Sequence, residues 1–203
     1  MRIISGWAWS VTWLLKVFCG LTHEVTGKEN IPDEPVIFMS KHQSAWETIA
    51  LQTIIPPAAW VLKRELLWIP LFGWGLACVS PIAIDRKNKR SAMESVIEQG
   101  TVKFKQGRHL LLFPEGTRTA YGKKVRYKQG GAKLALATGA KIVPIAHNAG
   151  KYWKRRGLTK HPGTIKVVIG EPILTEGRDA ISITEEVQSW IEGQLDSWEE
   201  SQS

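Results

Sequence analysis

The chain has 203 residues, 43% of them hydrophobic, enough to bury one sizeable core, so a single domain is expected. A formal net charge of +8 points to an anionic partner: a membrane, a phosphorylated substrate or nucleic acid. Two cysteines, Cys19 and Cys78, sit in apolar runs, which excludes a disulfide framework and fits a reducing compartment. Ten Trp against three Tyr is an unusual balance, and indole rings favour membrane–water interfaces.

The first element, Ile3 to Leu21, is apolar and carries Trp7, Trp9 and Trp13. Lys16 lies inside it, and a spanning helix needs about 20 apolar residues, so a helix lying in the membrane interface is the preferred reading. No convincing peptidase site follows, which argues against a cleaved signal. A core helix of a soluble domain is the alternative. Residues 1–25 are therefore expected to form a membrane-associating segment, and 26–203 one α/β domain.

Thr26 to Pro35 is a polar turn region. Val36 to Met39 reads as a buried strand, and from Ser44 the apolar spacing becomes helical. His42 thus falls in a strand-to-helix turn, with Glu47 five residues on. Positions five apart in one helix lie about 140° apart. The two can meet only if His42 precedes the helix and bends back over its first turn. A carboxylate there would fix the imidazole tautomer and leave the other nitrogen to take a proton. Ser44-x-x-Glu47 is also a capping box, so Glu47 has a purely structural alternative.

Pro56-Pro57 ends this helix, and Ala58 to Leu62 reads as a second strand. Leu66 to Val79 is an apolar stretch suited to an acyl chain, to lipid or to core packing. Pro81 to Ile84 is a third strand that runs into Asp85-Arg-Lys-Asn-Lys-Arg90, whose cations suit phosphate or simply a solvated turn. Ser91 caps a helix to about Lys105. Arg108 to Phe113 is a fourth, very apolar strand, delivering Pro114-Glu115-Gly116-Thr117-Arg118 to a loop. Gly116 permits close backbone approach, Thr117 offers a hydroxyl and Arg118 a forked cation.

Gly130-Gly131 open a helix to about Thr138. Lys141 to Ala146 is a fifth strand in which Pro144 suggests an edge or a bulge. Lys151, Lys154, Arg155, Arg156 and Lys160 form a basic run around Tyr152 and Trp153, before a sixth strand from Thr164 to Gly170. Residues Ile183 to Trp198 form an acidic amphipathic helix. The alternation predicts one α/β layered domain, a sheet flanked by helices. No Walker-type or dinucleotide glycine pattern is present. No grouping of His, Cys and acids has metal-ligand spacing.

Four blocks in order, His42-Gln-Ser-Ala-Trp-Glu47, Ile84-Asp-Arg86, Phe113-Pro-Glu-Gly-Thr-Arg118 and Val143-Pro144, resemble the motifs of the glycerolipid acyltransferase family. They are most similar to those of its bacterial 1-acyl-sn-glycerol-3-phosphate acyltransferases, over roughly Val36 to Pro172. The resemblance implies acyl transfer from acyl-CoA or acyl carrier protein, as co-substrate, to a lysophospholipid, with no cofactor and no metal. It assigns His42 as general base with Glu47 as its partner. Arg86, Glu115, Gly116, Thr117 and Arg118 would form the glycerol-phosphate pocket, with Glu115 binding hydroxyls or positioning an arginine. It further implies an anionic membrane surface as partner, at the cytoplasmic face of a bacterial inner membrane, and not nucleic acid.

Two positions depart from the family pattern. Glu47 stands where Asp is usual, and Lys41 where asparagine is usual. Lys41 is expected to point outward, since an inward cation would disfavour the imidazolium. Other readings are an acyltransferase for another lysolipid, such as a lyso-ornithine lipid, a covalent route through Ser44, and a noncatalytic basic membrane- or nucleic-acid-binding protein. No Gly-x-Ser-x-Gly elbow is present to serve the covalent route.

Overall fold

A computed structural model describes residues 2–68, 81–85 and 89–200. Seven strands form one sheet: β1 (Leu21–Thr26), β2 (Ile37–Ser40), β3 (Ala58–Lys63), β4 (Ile82–Ile84), β5 (His109–Leu112), β6 (Ile142–His147) and β7 (Gly163–Ile169). The helices are α1 (Arg2–Cys19), α2 (Trp46–Ile54), α3 (Lys89–Lys105), α4 (Gly130–Thr138), the single turn α5 (Ala149–Tyr152) and α6 (Ala180–Glu200).

The strand order is β1-β7-β6-β2-β5-β3-β4. Neighbours run parallel except β6 and β7, which are antiparallel. From β2 the chain crosses by α2 to β3 on one side, and from β5 it returns by α4 to β6 on the other. The carboxyl ends of β2 and β5 therefore lie side by side where the winding reverses, the position at which α/β sheets open a ligand crevice.

Strand alternation sorts the core into two layers. Ile37, Met39, Leu110, Leu112 and Ile142 face α3, α4 and α6, where Leu134, Ile183, Val187 and Ile191 are buried. Phe38, Leu111, Val143 and Ile145 face the other way, against Leu15 of α1 and Trp46, Ala50 and Leu51 of α2. Burying each such side chain is worth about 1.5–3 kcal/mol. The result is a three-layer α/β domain, as the alternation of elements predicts.

Helix ends follow local chemistry. Ile55 is extended ahead of Pro56 and closes α2. Gly139, at φ 69°, caps α4 in the left-handed conformation. Asp179 Oδ1 accepts the N–H groups of Ile181 (2.8 Å) and Ser182 (3.0 Å) to start α6. The sequence reading missed β1, which holds only two aliphatic residues and lies at the edge of the sheet beside β7. It crosses the boundary expected at residue 25, so α1 is tied to the domain through a strand of its sheet.

Of the two expectations for Pro144, an edge or a bulge, the structure shows the second. It lies in β6, an interior strand, not at an edge. Pro144 stands across from Gly170, just beyond the last strand residue of β7, and accepts that glycine's N–H at 2.9 Å. Pairing resumes at Ile142 and Ile173, so the missing donor falls at a bulge where the partner strand carries one extra residue. A Cβ at Gly170 would stand 2.8 Å from Pro144 Cγ and 2.6 Å from the Trp190 ring. Gly170→Ala should cost about 1–3 kcal/mol through overpacking. Urea denaturation checks this, and an unchanged midpoint would contradict the packing described.

Candidate active site

The turn after β2 carries His42, and its ring is held on two sides. Nδ1 lies 2.8 Å from Glu47 Oε1. The ring face stacks on Phe113 at a centroid distance of 3.9 Å and an interplanar angle of 14°. Phe113 comes from the neighbouring strand end after β5, and Trp60 of β3 meets it edge-on. His42 remains partly open, its side chain 14% exposed.

Glu47 is fully buried at the start of α2. Its Oε1 also accepts the N–H groups of Gln43 (3.0 Å) and Ser44 (2.9 Å), and Oε2 accepts that of Ser44 at 3.0 Å. The capping contact and the histidine contact thus coexist on one carboxylate. Burial opposes ionisation of Glu47. The hydrogen bond from His42, the two nearby imidazoles and the Ser44 N–H outweigh it and hold the carboxyl below its ordinary range. An ionised Glu47 accepts only, so Nδ1 carries the proton and Nε2 is the basic nitrogen. Ser44 is not the N-cap expected from sequence: that position is Ala45, while the buried Ser44 Oγ accepts the Trp46 N–H at 3.2 Å.

The loop after β5 clasps the backbone of His42. Glu115 Oε1 accepts the His42 N–H at 2.7 Å, and the Thr119 N–H donates to His42 O at 2.8 Å. Glu115 Oε2 takes the Thr119 hydroxyl. One carboxylate oxygen therefore holds the His42 turn and the other ties Glu115 to its own loop, and Glu115 is buried. This differs from the sequence reading, which gave Glu115 substrate hydroxyls or an arginine. Burial pushes the Glu115 carboxyl above its ordinary range, against the Lys41 charge, the Thr119 hydroxyl and the His42 N–H.

Lys41 is a second correction. It is 1% exposed and points inward. Its Nζ lies 2.6 Å from Glu192 Oε1 on α6 and 3.8 Å from Glu115 Oε1. Tyr127 donates its hydroxyl to the same Glu192 oxygen at 2.9 Å, and burial followed by the Glu192 charge pushes that phenol up. Strand alternation explains the direction, since residues 37, 39 and 41 share the face that α6 covers. Continuing the alternation past Met39 would have found Lys41.

His147, at the end of β6, was also missed. Fully buried, its Nε2 hydrogen-bonds Lys41 O at 2.8 Å and its Nδ1 accepts the Ala149 N–H at 3.3 Å. Burial lowers its pKa, so it is neutral and donates through Nε2.

Gly116, Thr117 and Arg118 share the turn that Pro114 begins, closed by the Gly116 N–H to Phe113 O at 3.0 Å. Gly116 has φ 72°, and a Cβ there would collide with Lys128 Nζ. Lys128 therefore lies over the turn, and its N–H donates to Pro114 O at 2.9 Å. Arg118 is half-buried with its Nε unpartnered. Arg86 and most of the Leu66 to Val79 stretch lie outside the described residues. Among the described residues no cluster of His, Cys and acids could hold a metal.

The acyltransferase family model matches residues 22–148. The 1-acyl-sn-glycerol-3-phosphate acyltransferase of Pseudomonas aeruginosa is 44% identical over 192 residues, covering 93% of this chain and 75% of that protein. The chain belongs to the acyltransferase family. A second relative, the alpha 1-acyl-sn-glycerol-3-phosphate acyltransferase of Mus musculus, is 30% identical over 80% of this chain and 58% of its own length. The crystal structure of the 1-acyl-sn-glycerophosphate (LPA) acyltransferase from Thermotoga maritima shares the fold. Its TM-score is 0.81 at 24% identity, covering 98% of this chain and 79% of that one. The acyltransferase carries Glu192 beyond the segment that the family model matches, which is one reason no motif pointed to it.

The buried histidines give acid stability a sign. His147 binds fewer protons folded than unfolded below its ordinary pKa of 6.5. Its contribution is therefore present above that value and lost as pH falls below it. Glu115, raised by burial, acts in the opposite direction, so the comparison must be between proteins. Wild type should lose more stability than His147→Gln from about pH 7 to about pH 5. Denaturation at a series of pH values checks this, and identical slopes would contradict a neutral buried His147.

Proposed function

We propose that this acyltransferase moves a fatty acyl group from a thioester, on CoA or acyl carrier protein, to the sn-2 hydroxyl of 1-acyl-glycerol-3-phosphate, giving phosphatidic acid. The observation that carries the reading is the His42–Glu47 contact at 2.8 Å, beside a turn that bears Arg118 and lies under Lys128. Several relatives bear the name of this activity, the one from Pseudomonas aeruginosa among them.

His42 Nε2 takes the hydroxyl proton as the oxygen attacks the thioester carbonyl, and Glu47 stabilises the imidazolium that forms. The tetrahedral intermediate collapses by breaking the C–S bond, and the imidazolium returns the proton to the thiolate. Products are the ester and the free thiol, and His42 ends neutral. Arg118, joined by Arg86, holds the acceptor phosphate, with Thr117 and the Gly116 backbone completing the pocket. Lys128, which lies over the turn, adds a cation. Arg118 in the turn and Lys128 over it place two cations together, which favours a phosphate acceptor over a lyso-ornithine lipid. A Ser44 acyl-enzyme is disfavoured because Ser44 is buried and its Oγ caps the Trp46 N–H.

The substrate lives in a bilayer, and α1 supplies a surface for it. Ala8 and Leu15 face inward, while Trp9 is 62% and Phe18 78% exposed, alongside Trp7, Trp13 and Val17. No helix among the described residues is long and apolar enough to cross a membrane. The proposed arrangement is an α1 that lies along an anionic cytoplasmic leaflet, with residues 1–25 as the membrane-associating segment.

His42→Ala should lower turnover by about 10²–10⁴ in an assay of thiol release with lysophosphatidate. Glu47→Gln should lower kcat far more than it raises either KM. Full turnover by folded His42→Ala would remove the base assignment. Arg118→Lys and Lys128→Ala should each raise the acceptor KM about tenfold, with little change for the thioester. Equal rises for both substrates would contradict a phosphate-specific role.

A further inference from the structure

The segment between α5 and β7 has no part in the chemistry above, yet it is tightly built. Trp153 Nε1 donates to Gly157 O at 2.9 Å, the Gly157 N–H to Lys154 O at 2.9 Å, and the His161 N–H to Tyr152 O at 2.9 Å. Lys160 Nζ binds Leu158 O at 2.8 Å and sits 4.7 Å over the Trp153 ring. Arg156 takes φ 60°, a left-handed conformation uncommon for a non-glycine residue. What this framework presents is Leu158, 90% exposed, beside exposed Lys154, Arg155 and Arg156. None of these three cations pairs with a carboxylate among the described residues.

Topology fixes which end of the molecule this is. β6 runs parallel to β2, so its end at His147 lies at the His42 edge of the sheet, and β7 starts back from that edge. The Gly150 N–H reaches Gln43 Oε1 at 3.2 Å, inside the His42 motif. The returning leg meets the end of α1, where the Gly163 N–H donates to Gly20 O at 2.9 Å, close to exposed Phe18. An apolar tip among unpaired cations, continuous with an aromatic helix face and on the catalytic edge, fits an anionic lipid surface.

We propose that the Lys154–Lys160 loop is a second membrane contact, inserting Leu158 into an anionic bilayer while Lys154, Arg155 and Arg156 meet headgroup phosphates. It rests on the membrane association read for α1. Together the two contacts set the His42 crevice against the leaflet that holds the lysolipid.

The test is binding of the full chain to vesicles of phosphatidylglycerol and phosphatidylethanolamine at several salt concentrations. Leu158→Ser should weaken binding about tenfold, independently of salt. Arg155→Gln/Arg156→Gln should weaken it about fivefold per charge at low salt and little at high salt. Turnover on a short-chain, water-dispersed lysolipid should be unchanged in both. Wild-type vesicle affinity in both variants would overturn the loop's role while leaving α1's intact. A full chain that binds no vesicles would overturn the membrane reading as a whole. Loss of acyl carrier protein binding with vesicle binding intact would make the loop a protein-docking surface and overturn the proposal.

The buried ion pair carries a second, independent inference. Glu192 touches Lys41, Lys41 precedes His42 in the chain, and Lys41 also faces the Glu115 that holds the His42 N–H. We infer that Glu192 is a positioning residue, fixing the His42 turn from the far helix α6. The charged and titratable groups around His42 are Glu47 from α2, Glu115 from the β5 turn, His147 from β6 and Lys41 itself, with Glu192 and Tyr127 behind.

Glu192→Gln should lower kcat about tenfold with both KM values within about twofold. It should also move the acid limb of the kcat/KM profile to lower pH, since the Lys41 cation is left uncompensated. Lys41→Met/Glu192→Leu leaves neither partner as an unpaired buried charge and guards against loss of fold. It should keep the kcat defect without the pH shift. Hydrogen exchange at the His42 amide, which needs no substrate, should quicken in both. A purely structural pair would lower the melting temperature and leave kcat per folded molecule, the pH profile and this exchange unchanged, overturning the inference.

Discussion

A buried carboxylate that cannot spread its charge into water must find donors, and Glu47 finds them in the turn that holds His42. Its oxygens accept from the Gln43 and Ser44 amides and from the imidazole. The amides make the turn bend back over the first turn of α2. That bend brings a residue five positions away within hydrogen-bonding distance. Helix start, turn shape and imidazole tautomer are therefore three consequences of one satisfied charge. A shorter acid would have to bring the amides and the ring closer together. Glu makes both contacts from a position buried under α2.

Behind this pair lies a charge arrangement that spans both faces of the sheet. Lys41 reaches toward α6, while Glu47 lies with α2 on the other side. His42 is held between them by its neighbours' backbone as well as by its ring. Glu115 extends the arrangement to the turn after β5, so the histidine motif and that turn share a carboxylate. The ion pair itself is weak evidence for stability, because desolvating Lys41 and Glu192 offsets much of their attraction. Its value lies in specifying one position for the turn.

Much of the fold was legible from the sequence. Apolar runs of β2, β5 and β6 alternate with helical spacing, and proline or glycine marks many of the ends. What escaped was set by tertiary context. β1 lacks apolar content because it lies at the sheet edge. Pro144 sits in an interior strand rather than at an edge because a bulge opposite it removes the need for its donor. Lys41 was given to solvent because an inward cation would disfavour the imidazolium, and the carboxylate that balances it is 151 residues away on α6. Glu192 and His147 carry no local pattern that marks them, whereas Lys128 is legible as a cation between the Glu-Gly-Thr-Arg turn and α4. The first and third motif blocks mark two turns that the structure brings together through Glu47 and Glu115, while Lys41, His147 and Glu192, which pack behind them, lie outside the blocks.

The His42 crevice shares one edge of the sheet with the exposed faces of α1 and the Leu158 loop, so under the proposal a lysolipid need not leave the bilayer fully before it meets His42. The chemistry at that edge depends on which ring nitrogen is the base. The most direct measurement is the nitrogen-15 NMR spectrum of the His42 imidazole in the neutral state. Protonation at Nδ1, with Nε2 unprotonated and basic, is the expected result. A neutral ring protonated at Nε2 would leave no base facing the substrate and would contradict the role given to the His42–Glu47 pair.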